Sequence, residues 1–132
     1  MQKPTNGELE ILRLLWQESP ATVRQINDRI NANRPEGQKE VGYTTTLKLM
    51  QIMADKKLVS RTREGKTHLY SPNISEAESQ QALVDRLLET AFQGSAMKLV
   101  MKALGSSKSS PQELDEIRRY LDQLSDEKSS DR

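Results

Sequence analysis

Of the chain's 132 residues, 30% are charged and 34% hydrophobic, and the formal net charge is +1, which fits one ordinary domain, or a small domain with an appendage, around a modest core. With no cysteine and a single histidine, the composition excludes disulfides, thiolate metal centres and thiol nucleophiles, so no catalytic residue, metal site or cofactor is expected. No segment approaches the roughly 20 apolar residues of a membrane span and MQKPTNGELE lacks the apolar run of a signal peptide, so the expected location is the cytoplasm, without membrane insertion.

Thr5 followed by Glu8 is a capping box, and Leu9, Leu12 and Trp16, flanked by Ile11 and Leu15, keep one face apolar, which predicts a helix over residues 5 to 17. Glu18-Ser19-Pro20 ends it. Thr22 with Gln25 repeats the start signal, and Val23, Ile26 and Ile30 predict a short second helix that breaks between Asn31 and Gly37. A polar stretch over residues 33 to 42 leads to a third helix, residues 43 to 57, with Leu47, Met50, Met53 and Ala54 on its apolar face. Residues 58 to 63 and 67 to 71 then read as two short strands around Glu64-Gly65-Lys66, where glycine supplies the positive φ of a hairpin turn. Three short helices followed by a hairpin is the layout of a winged helix-turn-helix, with the second and third helices as the helix-turn-helix and the hairpin as the wing.

The remainder reads as helical. Ser75 with Glu78 starts a helix carrying Leu83, Val84, Leu87, Leu88, Ala91 and Phe92; Gly94-Ser95 interrupts it, and Ala96, Leu99, Val100 and Ala103 continue on a new one. Residues 105 to 110 read as a linker. Ser110, Pro111 and Glu113 begin a last helix whose Leu114, Ile117, Leu121 and Leu124 form a heptad-like seam. One-sided helices of this length need a partner to cover them, so a homodimer is expected, with Leu83, Leu87, Phe92, Leu99, Leu114, Ile117 and Leu121 as dimerisation residues. The fold class is therefore mainly α with a small β-hairpin: residues 1–72 as a winged-helix DNA-binding domain and 73–132 as a helical dimerisation domain. The charge divides along the same line, with a net +4 over residues 1–72 and −3 over 73–132.

The stretch Glu8 to Trp16 (ELEILRLLW), Ala21-Thr22-Val23-Arg24, Tyr43-Thr44-Thr45-Thr46-Leu47, Lys56 to Val59 and Tyr70-Ser71-Pro72 resembles the penicillinase-repressor (BlaI/MecI/CopY) family of bacterial transcription factors. The resemblance extends through Phe92-Gln93-Gly94-Ser95, Leu99-Val100 and Ser110-Pro111-Gln112-Glu113-Leu114, nearly the whole chain. It implies a homodimeric repressor of a β-lactam-resistance-like or stress-response gene set, bound to a palindromic operator in double-stranded DNA, with a membrane sensor protease or its downstream protease as a further partner. Four positions depart from the family pattern. Lys102-Ala103 stands where β-lactam-responsive relatives have a cleavable Asn-Phe, Lys57 where glycine is common, and Ile52 where arginine is frequent.

To read the major groove, a helix needs hydrogen-bonding side chains opposite its core stripe and cations for phosphates. The third helix offers Tyr43, Thr44, Thr45, Lys48 and Gln51 for this purpose, with Thr45 and Lys48 as the base-edge candidates, and the wing adds Arg61, Arg63 and Lys66 for the backbone. Six cations against two anions between Tyr43 and Pro72 support that assignment. His68 reads as a packing or surface residue, Trp16 and Tyr120 as core or interface residues, and Met50, Met53, Met97 and Met101 as gap-filling core. The alternative is a winged-helix protein-interaction adaptor that does not bind DNA, for which the basic third helix and wing would be superfluous.

Overall fold

The computed structural model describes residues 4–130; the outermost residues of the two expected domains, 1–3 and 131–132, lie outside it. The order is α1 (Asn6–Gln17), α2 (Val23–Ala32), α3 (Tyr43–Asp55), β1 (Val59–Glu64), β2 (Thr67–Pro72), α4 (Glu76–Thr90), α5 (Ala96–Ser106) and α6 (Pro111–Ser130). Two compact units result, one running to Arg86 and the other from Leu87 onward, so the first half of α4 belongs with the winged helix.

In the first unit both expected capping boxes form. The Thr5 hydroxyl accepts from the Glu8 amide while Glu8 accepts from the Thr5 amide, and Thr22 and Gln25 do the same at α2. These pairs satisfy amides that a helix start otherwise leaves orphaned. Ile11, Leu12 and Leu15 of α1, Ile26 of α2, Met50 and Met53 of α3, Leu58 and Tyr70 are buried together as one core. The hairpin pairs antiparallel from Val59 opposite Pro72 to Glu64 opposite Thr67, with a two-residue Gly65-Lys66 loop in which Gly65 has φ +64°. Ala21, just before α2, exchanges two backbone hydrogen bonds with Tyr70 (3.0 and 2.8 Å), so the start of α2 is sewn directly to the wing. The Trp16 indole N–H donates to the Ile74 carbonyl at 2.9 Å, tying α1 to the segment that opens α4.

The end of α3 is a Schellman motif with an unusual occupant. The Leu58 amide bonds back to the Met53 carbonyl (2.9 Å) and the Lys57 amide to the Ala54 carbonyl (3.0 Å), which requires a left-handed residue between them. That residue is Lys57, at φ +65°. Leu58 and Met53, the pair whose apolar contact accompanies this motif, are both buried.

The second unit holds the end of α4, a turn with Gln93 and Gly94 at positive φ, and helices α5 and α6. Ser95 caps α5 by accepting from the Lys98 amide, and Ser110 caps α6 by accepting from the Glu113 amide. Helix α5 continues through Gly105 to Ser106, so the linker expected from residue 105 is shorter than the glycine and serines suggested. The buried hydrophobic residues that form the core all lie between Ile11 and Ile74. Met50 and Met53 fill that core, but Met97 and Met101 do not fill any: they are 71% and 68% exposed.

Candidate nucleic-acid interface

Helix α3 has its outward face fixed by polar contacts at its start. Asn27 and Asn31, one turn apart on α2, both donate to the Val41 carbonyl at 3.0 Å, and Asn31 also accepts from the Val41 amide at 2.7 Å. Asn27 uses its amide further, donating to the Thr46 hydroxyl at 2.8 Å. Asn27 and Thr46 are both buried, so this bond is shielded from competing water. The loop before α3 and the helix's first turn are therefore locked to α2 together. Of the three consecutive threonines, Thr46 serves this lock and none caps the helix, whose N-cap is Gly42 without a side-chain bond.

Thr44, Thr45, Lys48 and Gln51 are exposed, on the side away from buried Met50 and Met53. Ile52, 39% exposed, shares that outward face, an apolar residue among polar ones. Tyr43, at 41% exposure, starts the helix with the Arg24 guanidinium 5.1 Å from its ring centroid, a cation–π arrangement across the starts of α2 and α3.

On the wing, Arg61 pairs across the strands with Tyr70 and Arg63 with His68, and Lys66 occupies the loop; Arg61, Arg63, Lys66 and His68 are all exposed. The Arg63 Nε donates to the Gly65 carbonyl at 2.9 Å, which holds the guanidinium against the turn. Lys56, one of the six cations between Tyr43 and Pro72, is committed elsewhere, since its ammonium lies 2.9 Å from the buried Glu8 carboxylate and joins the end of α3 to the start of α1. Burial alone would push the Glu8 carboxyl up, but the Thr5 amide and the Lys56 ammonium outweigh it and hold the group below its ordinary 4.5.

Arg24 is the residue for which the amino-acid pattern offered only an indirect signal. It lies in the first turn of α2, where the helix dipole disfavours a cation, so helix stability does not account for it. Among the expected dimerisation residues, Leu83 lies in the first unit; Phe92, Leu99, Leu114 and Ile117 are half-buried, and Leu87 and Leu121 are 44% and 53% exposed. Among the described residues no cluster of acidic or histidine side chains suits a metal ion, and no helix is long and apolar enough to cross a membrane.

Comparison with known proteins agrees with this architecture. The chain is 31% identical over 125 residues to the transcriptional regulator BlaI of Mycobacterium tuberculosis, covering 89% of this chain and 83% of that protein. It is 21% identical over 119 residues to the penicillinase repressor of Bacillus licheniformis, covering 90% and 89%. A crystal structure of a possible transcriptional regulator for arsenical resistance has a similar fold, with a TM-score of 0.51 at 12% identity over 76% of this chain and 88% of that one. The family profile of the penicillinase repressors matches residues 4–123, and the chain belongs to that family of DNA-binding transcriptional regulators.

Proposed function

We propose that this DNA-binding transcriptional repressor acts as a homodimer on a palindromic operator, in the cytoplasm and by binding rather than catalysis. Helix α3 enters the major groove with Thr45 and Lys48 at base edges, Thr44 and Gln51 beside them and Tyr43 at the groove rim, while Arg61, Arg63 and Lys66 hold phosphates. The observation that carries this reading is the outward face of α3: exposed hydrogen-bonding side chains on a helix whose orientation is locked by the buried Asn27–Thr46 bond. Dimerisation rests on a separate one. Helices α5 and α6 contain no buried apolar residue among those described, although Leu99, Leu114, Ile117 and Leu121 lie along them, so their apolar faces need a second copy to leave water. Induction by a membrane sensor protease or its downstream protease would act on α5, where Lys102 and Ala103 are exposed but helical, so cleavage requires local unwinding.

The test is fluorescence anisotropy of the purified protein on duplex DNA across a salt series. Affinity should fall linearly on a log–log plot, by about 0.9 per phosphate neutralised. Absence of salt-dependent binding at low ionic strength sinks the reading.

A further inference from the structure

A cleft of about 390 Å³ opens between the starts of α2 and α3 and the second wing strand, with Arg24 and Tyr43 on one wall and Lys66 and His68 on the other. Its floor includes the buried ring of Tyr70 and the half-buried Leu47. Two cations and an imidazole line it, and no carboxylate does. Neither Arg24 nor Lys66 forms an ion pair among the described residues, in contrast to Arg29, held by Glu18 at 3.3 Å, and Lys56, held by Glu8. The cleft thus keeps its positive charge un-neutralised.

We infer that this cleft is a clamp for one phosphodiester of the DNA backbone, closed from the helix side by Arg24 and from the wing side by Lys66. The inference rests on the DNA-binding reading and extends it by giving a ligand to Arg24 and by changing the role of Tyr43. Both cations are exposed, and a guanidinium presents paired N–H donors that match two phosphate oxygens, whereas the ammonium of Lys66 adds a point charge. Tyr43 is a positioning residue: its ring, 5.1 Å from the guanidinium carbon, keeps Arg24 turned toward the cleft. Ala21 and Tyr70 hold the two walls at a fixed separation through their paired backbone hydrogen bonds. The clamp would therefore set how deeply α3 sits in the groove without reading any base.

The experiment compares salt slopes on a non-operator duplex for wild type, Arg24→Met, Lys66→Met and the double variant. If both cations share one phosphate, the double variant loses about 0.9 of slope per DNA-binding head, and the single losses do not add. Tyr43→Leu should weaken binding as Arg24→Met does, and Tyr43→Phe should restore it, since the ring rather than the hydroxyl holds the guanidinium. Wild-type binding with a normal slope that the Arg24→Met/Lys66→Met double variant leaves unchanged overturns the clamp alone. A double variant that loses about 1.8 per head shows two separate phosphates and overturns it as well. A wild type that binds no DNA overturns the repressor reading and the clamp together. Thermal unfolding of each variant separates lost contact from lost fold.

Discussion

The Glu8 side chain, 1% exposed, and the Lys56 side chain, 27% exposed, meet carboxylate to ammonium at 2.9 Å and fasten the first turn of α1 to the C-terminal end of α3. The same carboxylate closes the α1 capping box by accepting from the Thr5 amide at 2.8 Å, so one side chain serves both the helix start and the tertiary contact. Helix α3 is consequently anchored at both ends, by Asn27 at its start and by Glu8 at its finish.

Removing one partner of a shielded pair leaves the other uncompensated, so Lys56→Met should destabilise the protein by about 3 kcal/mol at neutral pH, towards the lower end for such pairs because Lys56 keeps some water contact. The pH dependence follows from Glu8. Its folded carboxyl titrates below the ordinary 4.5, so the ionised group stabilises the fold above that pH and the contribution is lost as pH falls through the folded value. Urea denaturation from about pH 3 to about pH 7 should show the gap between wild type and Glu8→Gln shrinking toward the acid end. A gap that stays constant across that range would contradict the assignment.

Lys57 occupies a left-handed position that glycine adopts without steric cost. Lys57→Gly should raise stability by about 0.5–1 kcal/mol despite the flexibility glycine adds to the unfolded chain, read as a rise in the midpoint of thermal unfolding. A fall in the midpoint would show that the lysine side chain contributes more than its backbone costs.

The Asn27 amide has two acceptors, and its loss leaves the buried Thr46 hydroxyl without this donor. Asn27→Leu should cost about 1–3 kcal/mol and lower operator affinity more than non-operator affinity, because α3 loses its fixed angle. Thr46→Val in the same background should bring little further loss of stability, since the two residues share one bond. Independent, additive losses would separate them.

Lys48 stands in the middle of the outward face of α3, within reach of guanine O6 and N7 if that face meets the groove. Lys48→Ala should reduce operator affinity by about 1–3 kcal/mol and leave non-operator binding nearly unchanged, measured by parallel titrations. An equal loss on both duplexes would move Lys48 from base reading to phosphate contact.

Ile117 is half-buried and Leu121 is 53% exposed on α6. Changing both to Asp should give monomers in sedimentation velocity and much weaker operator binding, because joining two heads raises the effective concentration of the second. A variant that still sediments as a dimer would move the interface off this seam.

Local features were legible in the amino-acid order alone: where helices start, where the hairpin turns and which residues of the first three helices face inward, whereas the burial expected of Met97 and Met101 was not met. The Thr5/Glu8 and Thr22/Gln25 boxes, the Gly65 turn and the apolar spacing of α2 and α3 are interactions between residues a few positions apart, so their signals are complete in a short window. The exposed positions Thr44, Thr45, Lys48 and Gln51 follow from the same helical period once Met50 and Met53 are taken as core. The remaining assignments required the folded chain. That Lys56 belongs to Glu8, 48 positions away, that Thr46 differs from its two neighbours by answering Asn27, and that Arg24 shares a cleft with Lys66 all depend on chain segments brought together from afar. A lysine, a threonine or an arginine carries the same local pattern whether it is solvated or committed, and the partner that settles the matter is chosen by packing.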